Sequence, residues 1–145
     1  MDELFASATE PTPKAKQQYQ LLRMYEGLRA LENEKEPKLD DWLCLTDAIN
    51  LMELMVRNMQ ICEDNSGLLD DATNALKQAA QRYQSLGVLR LDGAGINAVR
   101  AVLEDYSSML ETLPHRTIVQ CHRLAEKRLL EIRAGKVQPH DVVIK

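Results

Sequence analysis

Apolar residues recur along this chain at intervals of three and four, the spacing that lines one face of an α-helix. Over residues 14–34, Tyr19, Leu21, Leu22, Tyr25, Leu28 and Leu31 predict a first helix, with Lys16, Gln18, Arg23 and Glu32 turned to water. Residues 34–38 are charged and contain Pro37, which predicts a connector. Asp40 or Asp41 then predicts an N-cap, because a short carboxylate can accept the free N–H groups of a first helical turn. The second helix extends to about Cys62. Between Trp42 and Cys62, 14 of 21 residues are apolar, more than a single stripe requires, so this helix should lie centrally or cover a partner.

Residues 63–67 form a polar break. Leu68, Leu69, Ala72, Leu76, Ala79, Tyr83 and Leu86 predict a third helix that Gly87 ends, and residues 88–91 read as a linker. Asp92 predicts the cap of a fourth helix buried through Ile96, Val99, Leu103, Tyr106, Leu110 and Leu113. Pro114 forces a break, since the residue before proline avoids helical geometry. A fifth helix follows, with Ile118, Cys121, Leu124, Ala125, Leu129 and Ile132 inward and Gly135 as its stop. Short connections favour antiparallel neighbours, so the predicted fold is all-α: an up-and-down bundle of about five helices over residues 14–135. Residues 1–13, with two prolines and no apolar period, predict a flexible N-terminal arm, and residues 136–145 a short C-terminal tail.

Composition agrees with helices, because aromatic residues make up only 4% of the chain and β-branched residues cluster in short stretches. A length of 145 residues matches one domain able to bury a core without staples. The charge is uneven. Residues 1–80 carry 8 basic and 15 acidic side chains, a net of −7, and residues 81–145 carry 10 and 7, a net of +3. Such asymmetry points to contacts between copies or to a partner for the basic end. No apolar run is long enough to span a bilayer, and no basic segment followed by an apolar one opens the chain, so the expected compartment is the cytoplasm and no membrane partner is expected.

The candidate chemistry is sparse. Cys44, Cys62 and Cys121 are odd in number and widely spaced, which excludes a disulfide framework or a CxxC zinc pattern and leaves them as core thiols. His115, His122 and His140, with Glu111 or Glu126, could supply metal ligands, but the Glu-x-x-His signatures of carboxylate-bridged bundles are missing. Adjacent carboxylates such as Asp40 and Asp41, Asp70 and Asp71, or Glu104 and Asp105 diverge by about 100° on a helix, so they fit caps and solvated faces better than paired acid–base work. Cys121 and His122 diverge for the same reason, and no third group orients them. The Gly93, Ala94, Gly95 turn lacks the glycine pattern and the lysine of a phosphate loop. No cofactor and no catalytic function are expected.

Two sets of residues remain as candidate partner contacts. Met52, Met55 and Met59 form a stripe on the second helix, which either packs in the core or offers an adaptable groove. Arg116, Arg123 and Lys127 share one face of the fifth helix, whose six cations outnumber Glu126 and Glu131 by four. That face is a solvated surface, a docking site for an acidic protein surface such as another copy, or a nucleic-acid contact; the overall negative charge and the lack of aromatics to stack on bases weigh against the last.

The blocks Leu91-Asp92-Gly93-Ala94-Gly95-Ile96, Val102-Leu103-Glu104-Asp105-Tyr106 and Pro139-His140-Asp141-Val142-Val143 resemble small helical proteins carried by bacterial phages and other mobile elements. The resemblance covers the C-terminal half and implies an accessory or regulatory setting, with no catalytic residue to carry over. The expected function is that of a non-enzymatic helical interaction protein that binds another macromolecule, such as a host protein, and self-associates as a homodimer. A nucleic-acid-binding regulator using residues 115–136 is the alternative, and a metal-binding bundle the third.

Overall fold

The computed structural model describes residues 13–33 and 37–134. They form five α-helices and one π-helical turn: α1 (Pro13–Asn33), α2 (Leu39–Glu53), the π turn (Leu54–Asn58), α3 (Leu69–Leu86), α4 (Gly93–Thr112) and α5 (His115–Arg133). There is no strand among the described residues, and the chain is all-α as its periodicity predicts. The expected arm, apart from Pro13, and the expected tail lie outside the described residues.

Most boundaries follow from local chemistry. Pro13 opens α1, where its missing N–H has no intrahelical acceptor to lose. Asp92 caps α4 as expected, its Oδ1 accepting the Gly95 N–H at 2.6 Å. Gly87 adopts the left-handed conformation (φ +71°) that ends α3 and donates its N–H to the Tyr83 carbonyl. Leu113 is extended before Pro114, separating α4 from α5. At α2 the expected cap is displaced: the helix starts at Leu39, so Asp41 is the third helical residue instead of the cap. From there its Oδ2 accepts the Lys38 backbone N–H at 2.9 Å.

The second helix does not run unbroken to Cys62. After Glu53 the hydrogen bonds widen, so that the Met59 N–H reaches the Leu54 carbonyl five residues back and the Ile61 N–H reaches Met55. Gln60 then turns the chain with a φ of +54°, and Cys62 lies beyond the helix. Its apolar residues continue past the point where the helix stops because Met59 and Cys62 pack on the core from the turn that follows.

α2 is the centre of the molecule. It touches α1, α3, α4 and α5, and Trp42, Leu45, Ile49 and Met52 are buried among Leu28 and Leu31 of α1, Leu76 of α3, and Val99, Leu103 and Tyr106 of α4. Burying each such side chain contributes roughly 1.5–3 kcal/mol. The Trp42 indole N–H donates to the Leu76 carbonyl at 2.9 Å, so the largest side chain of α2 buries no unmatched donor. Internal cover therefore accounts for the wide apolar surface of α2, which no longer argues for a second copy over it.

The first four helices run up and down in sequence. Arg57 of the π turn pairs with Asp70 at the start of α3, the Ser66 N–H donates to Asp105 late in α4 at 3.2 Å, and Arg100 of α4 grips both oxygens of Glu32 at the end of α1 at 3.0 and 3.1 Å. Asp70 and Asp105 thus tie elements together instead of lying on purely solvated faces. The segment between α3 and α4 is a linker, as expected, with Leu89 and Leu91 buried. α5 packs on α2 and the π turn, and Gln17 of α1 bonds His115 at its first residue (3.1 Å).

Candidate functional site

α1, α2 and α5 do not close on one another completely. They enclose a cleft of about 370 Å³, within the size range of ligand and side-chain recognition pockets. Tyr19 and Met24 of α1, Leu51 of α2, Leu54 of the π turn and Leu129 of α5 form its apolar walls. Each is set by helical spacing, and Leu54 contributes from the first residue of the π turn.

Ionisable groups complete the lining. Arg23 belongs to it, but its guanidinium stands 3.1 Å from Asp41, so the side chain expected to face water is engaged in an ion pair at the α1–α2 contact. Glu53 is half-buried. Burial raises its pKa above the ordinary carboxylate value, and the nearby Arg57, Arg128 and Lys77 only partly offset this. His122 is pushed the other way: burial lowers its pKa, opposed by Glu126 and Asp47. Its imidazole is therefore neutral near pH 7 and can both donate and accept hydrogen bonds. Asp47 and Glu126 are the exposed carboxylates of the lining.

The thiols show no activation. Cys44 lies in the cleft wall with its pKa raised mainly by burial, against the pull of Arg23. Cys62 is raised by burial as well. Cys121 faces the core, donates weakly to the Leu51 carbonyl at 3.6 Å, and burial pushes its pKa up to about 11. Cys121 and His122 point into core and cleft respectively, as their adjacency on a helix requires. Among the described residues no three His, Cys, Asp or Glu side chains converge as metal ligands, and His140 lies outside those residues. No described helix is long and apolar enough to cross a membrane.

The two candidate contact sets fare differently. Met52 and Met55 are fully buried and Met59 is half-buried against the core, so the packing alternative describes this stripe and no methionine groove is presented by α2. Arg116, Arg123 and Lys127 are all exposed, on the side of α5 away from Ile118 and Cys121. No ion pair or hydrogen bond to another described residue ties them down. Arg123 and Lys127 each follow a cleft residue, His122 and Glu126, by one position, so the basic face adjoins the cleft about 100° round the same helix.

Several expected core positions are instead at the surface. Tyr19 is 72% exposed and Leu22 58%, Tyr83 and Leu86 are exposed near the end of α3, and Leu124 is 39% exposed. Leu110 and Ile132 are half-buried. Periodicity identifies the apolar face of a helix but not how far a neighbour extends along it. α5 packs mainly on α2 and the π turn, which leaves Tyr19 of α1 on the cleft wall. The cleft itself was not anticipated, because its residues come from helices about 100 positions apart; the excess of apolar side chains on α1, where Leu21 and Leu22 cannot both face one core, was the available signal. Comparison with models of known protein families, with curated proteins and with solved structures finds no match to this chain.

Proposed function

We propose that this chain is a non-enzymatic helical interaction protein, accessory or regulatory in role, that binds another macromolecule through the cleft between α1, α2 and α5 and its rim. The observation that carries this reading is the placement of exposed apolar side chains. Tyr19, 72% exposed, lines the cleft on α1, Leu22 is exposed on the same helix beside it, and Leu130, 62% exposed, follows the lining residue Leu129 on α5. Single exposed leucines are ordinary, but an exposed aromatic side chain in the wall of a preformed cleft, with further exposed apolar side chains on the two helices that bound it, is what a docking surface presents. Neutral His122 and the carboxylates Asp47 and Glu126 add the polar contacts that give such a surface selectivity.

The test compares wild type with a Tyr19→Glu, Leu22→Glu double variant as bait in extracts of the native cells. Both positions are exposed, so the variant keeps its helical circular dichroism. Proteins recovered by wild type and lost from the variant are the expected result. Identical recovery by both baits overturns the reading. A second reading, nucleic-acid binding by Arg116, Arg123 and Lys127, rests on their exposure and would show as DNA affinity that falls steeply with salt.

A further inference from the structure

We infer that the basic face of α5 is covered from within, by the chain's own residues 1–12, whose acidic side chains lie along Arg116, Arg123 and Lys127. That segment is outside the described residues, and its sequence holds Asp2, Glu3 and Glu10 with no lysine or arginine, a net of −3. It joins the structure at Pro13, four residues before Gln17. The bond from Gln17 to His115 at 3.1 Å sets the start of α1 against the start of α5, so the segment leaves within about one helical turn of that contact.

The charge at this end is one-sided. α2 and α3 open with acidic residues and Asp92 caps α4, but the first turns of α1 and α5 contain none. Lys16 and Arg116, each next in sequence to a member of the Gln17–His115 pair, are exposed. Arg23, Arg57 and Arg100 have carboxylate partners, whereas Arg116, Arg123 and Lys127 have none among the described residues. On α5 itself Glu131 and Glu126 stand about 60° and 80° round the helix from that face, and Arg128, about 120° away, has its own partner. Three cations thus face two flanking carboxylates, and the face keeps a positive charge.

The length fits. An extended chain spans at most about 3.5 Å per residue, so Glu10 reaches about 10 Å from Pro13 and Glu3 about 35 Å. Arg116 to Lys127 covers about 16 Å of helix, so Glu10 meets Arg116 while Asp2 and Glu3 meet Arg123 and Lys127. Leu4 and Phe5 follow Glu3 and bring apolar side chains within reach of Leu124 and Leu130, both exposed on this helix. Each exposed ion pair contributes little alone, but tethering holds the segment at an effective concentration on the order of millimolar, so even a millimolar affinity keeps it bound about half the time. An acidic protein or a nucleic acid must displace it to use this face.

The test compares the full chain, labelled with nitrogen-15, with an Asp2→Asn, Glu3→Gln, Glu10→Gln variant. Backbone amide signals from Arg116 to Leu130 are expected to move in the variant, and to move the same way when wild type is placed in about 1 M salt, where charges are screened beyond about 3 Å. Signals of α3 should stay in place. Carbodiimide coupling, which joins carboxylates to lysine amines without a spacer, should link Asp2 or Glu3 to Lys127 with a yield independent of protein concentration, as a contact within one chain requires. Arg116→Glu with Arg123→Glu, both at exposed positions, should lower that yield at least about fourfold, because the segment then meets like charge. Signals of α5 that ignore the three neutralisations, or a Lys127 link no stronger than in high salt, overturn the inference and leave the face open to other partners. A link whose yield grows with protein concentration overturns it too, by placing the segment on another copy.

Discussion

His122 shares the wall of the cleft with Glu126, and burial holds its pKa below the ordinary 6.5. In the unfolded chain the imidazole takes up its proton at about that ordinary value. Between the lowered folded pKa and 6.5 the unfolded state binds more protons than the native one, so stability falls as pH drops through this window. Wild type should therefore lose stability relative to His122→Gln as pH is lowered from about 7 to 5, read by denaturant midpoints across the range. A difference independent of pH would mean that His122 is as well solvated folded as unfolded. Nothing in the spacing of the three histidines reveals this, since burial comes from helices distant in sequence that share the cleft wall with His122. Asp92 is the opposite case: its cap follows from its own side chain and the three residues after it.

At the scale of elements, α1 and α2 meet at a glycine. A Cβ on Gly27 would lie 2.7 Å from the Asp41 backbone carbonyl oxygen, so only glycine lets the start of α2 approach α1 this closely. Alanine would gain about 1 kcal/mol of helix propensity, but the clash is with backbone that also carries the Asp41–Lys38 bond and the Arg23 ion pair. Gly27→Ala should lower stability by about 1–2 kcal/mol net, because overpacking against an immobile atom outweighs propensity. A raised melting temperature would show that the helices can part at little cost. The helices themselves were legible from three- and four-residue spacing. The π turn was not, because widening of the hydrogen bonds after Glu53 is a response to packing on several sides and has no residue signature.

Across the whole molecule, cover is unequal. α2 is enclosed by four helices, whereas α5 rests on α2 and the π turn and leaves Leu124 and Leu130 at the surface. Regions with fewer buried contacts open at lower free energy, so backbone amides of α5 should exchange with solvent sooner than those of α2 at low protein concentration. Hydrogen-exchange mass spectrometry reads this directly, and equal protection of both helices would place α5 in the same cooperative unit as the core.

Helical class, the approximate extent of each helix and the caps at Asp92 and Gly87 were set by the sequence itself, because each depends on residues within about one or two helical turns of one another. The exposure of Arg116, Arg123 and Lys127 was readable for the same reason, since charged side chains set opposite an apolar stripe stay in water. Only the tertiary structure decided which way the apolar excess of α2 was satisfied, internally by four neighbours, and left Tyr19 and Leu22 uncovered on α1. It also decided that α1, α2 and α5 would stop short of closing and leave a cleft. Those outcomes depend on where separate helices end relative to one another, a distance in space that spacing along one helix does not encode.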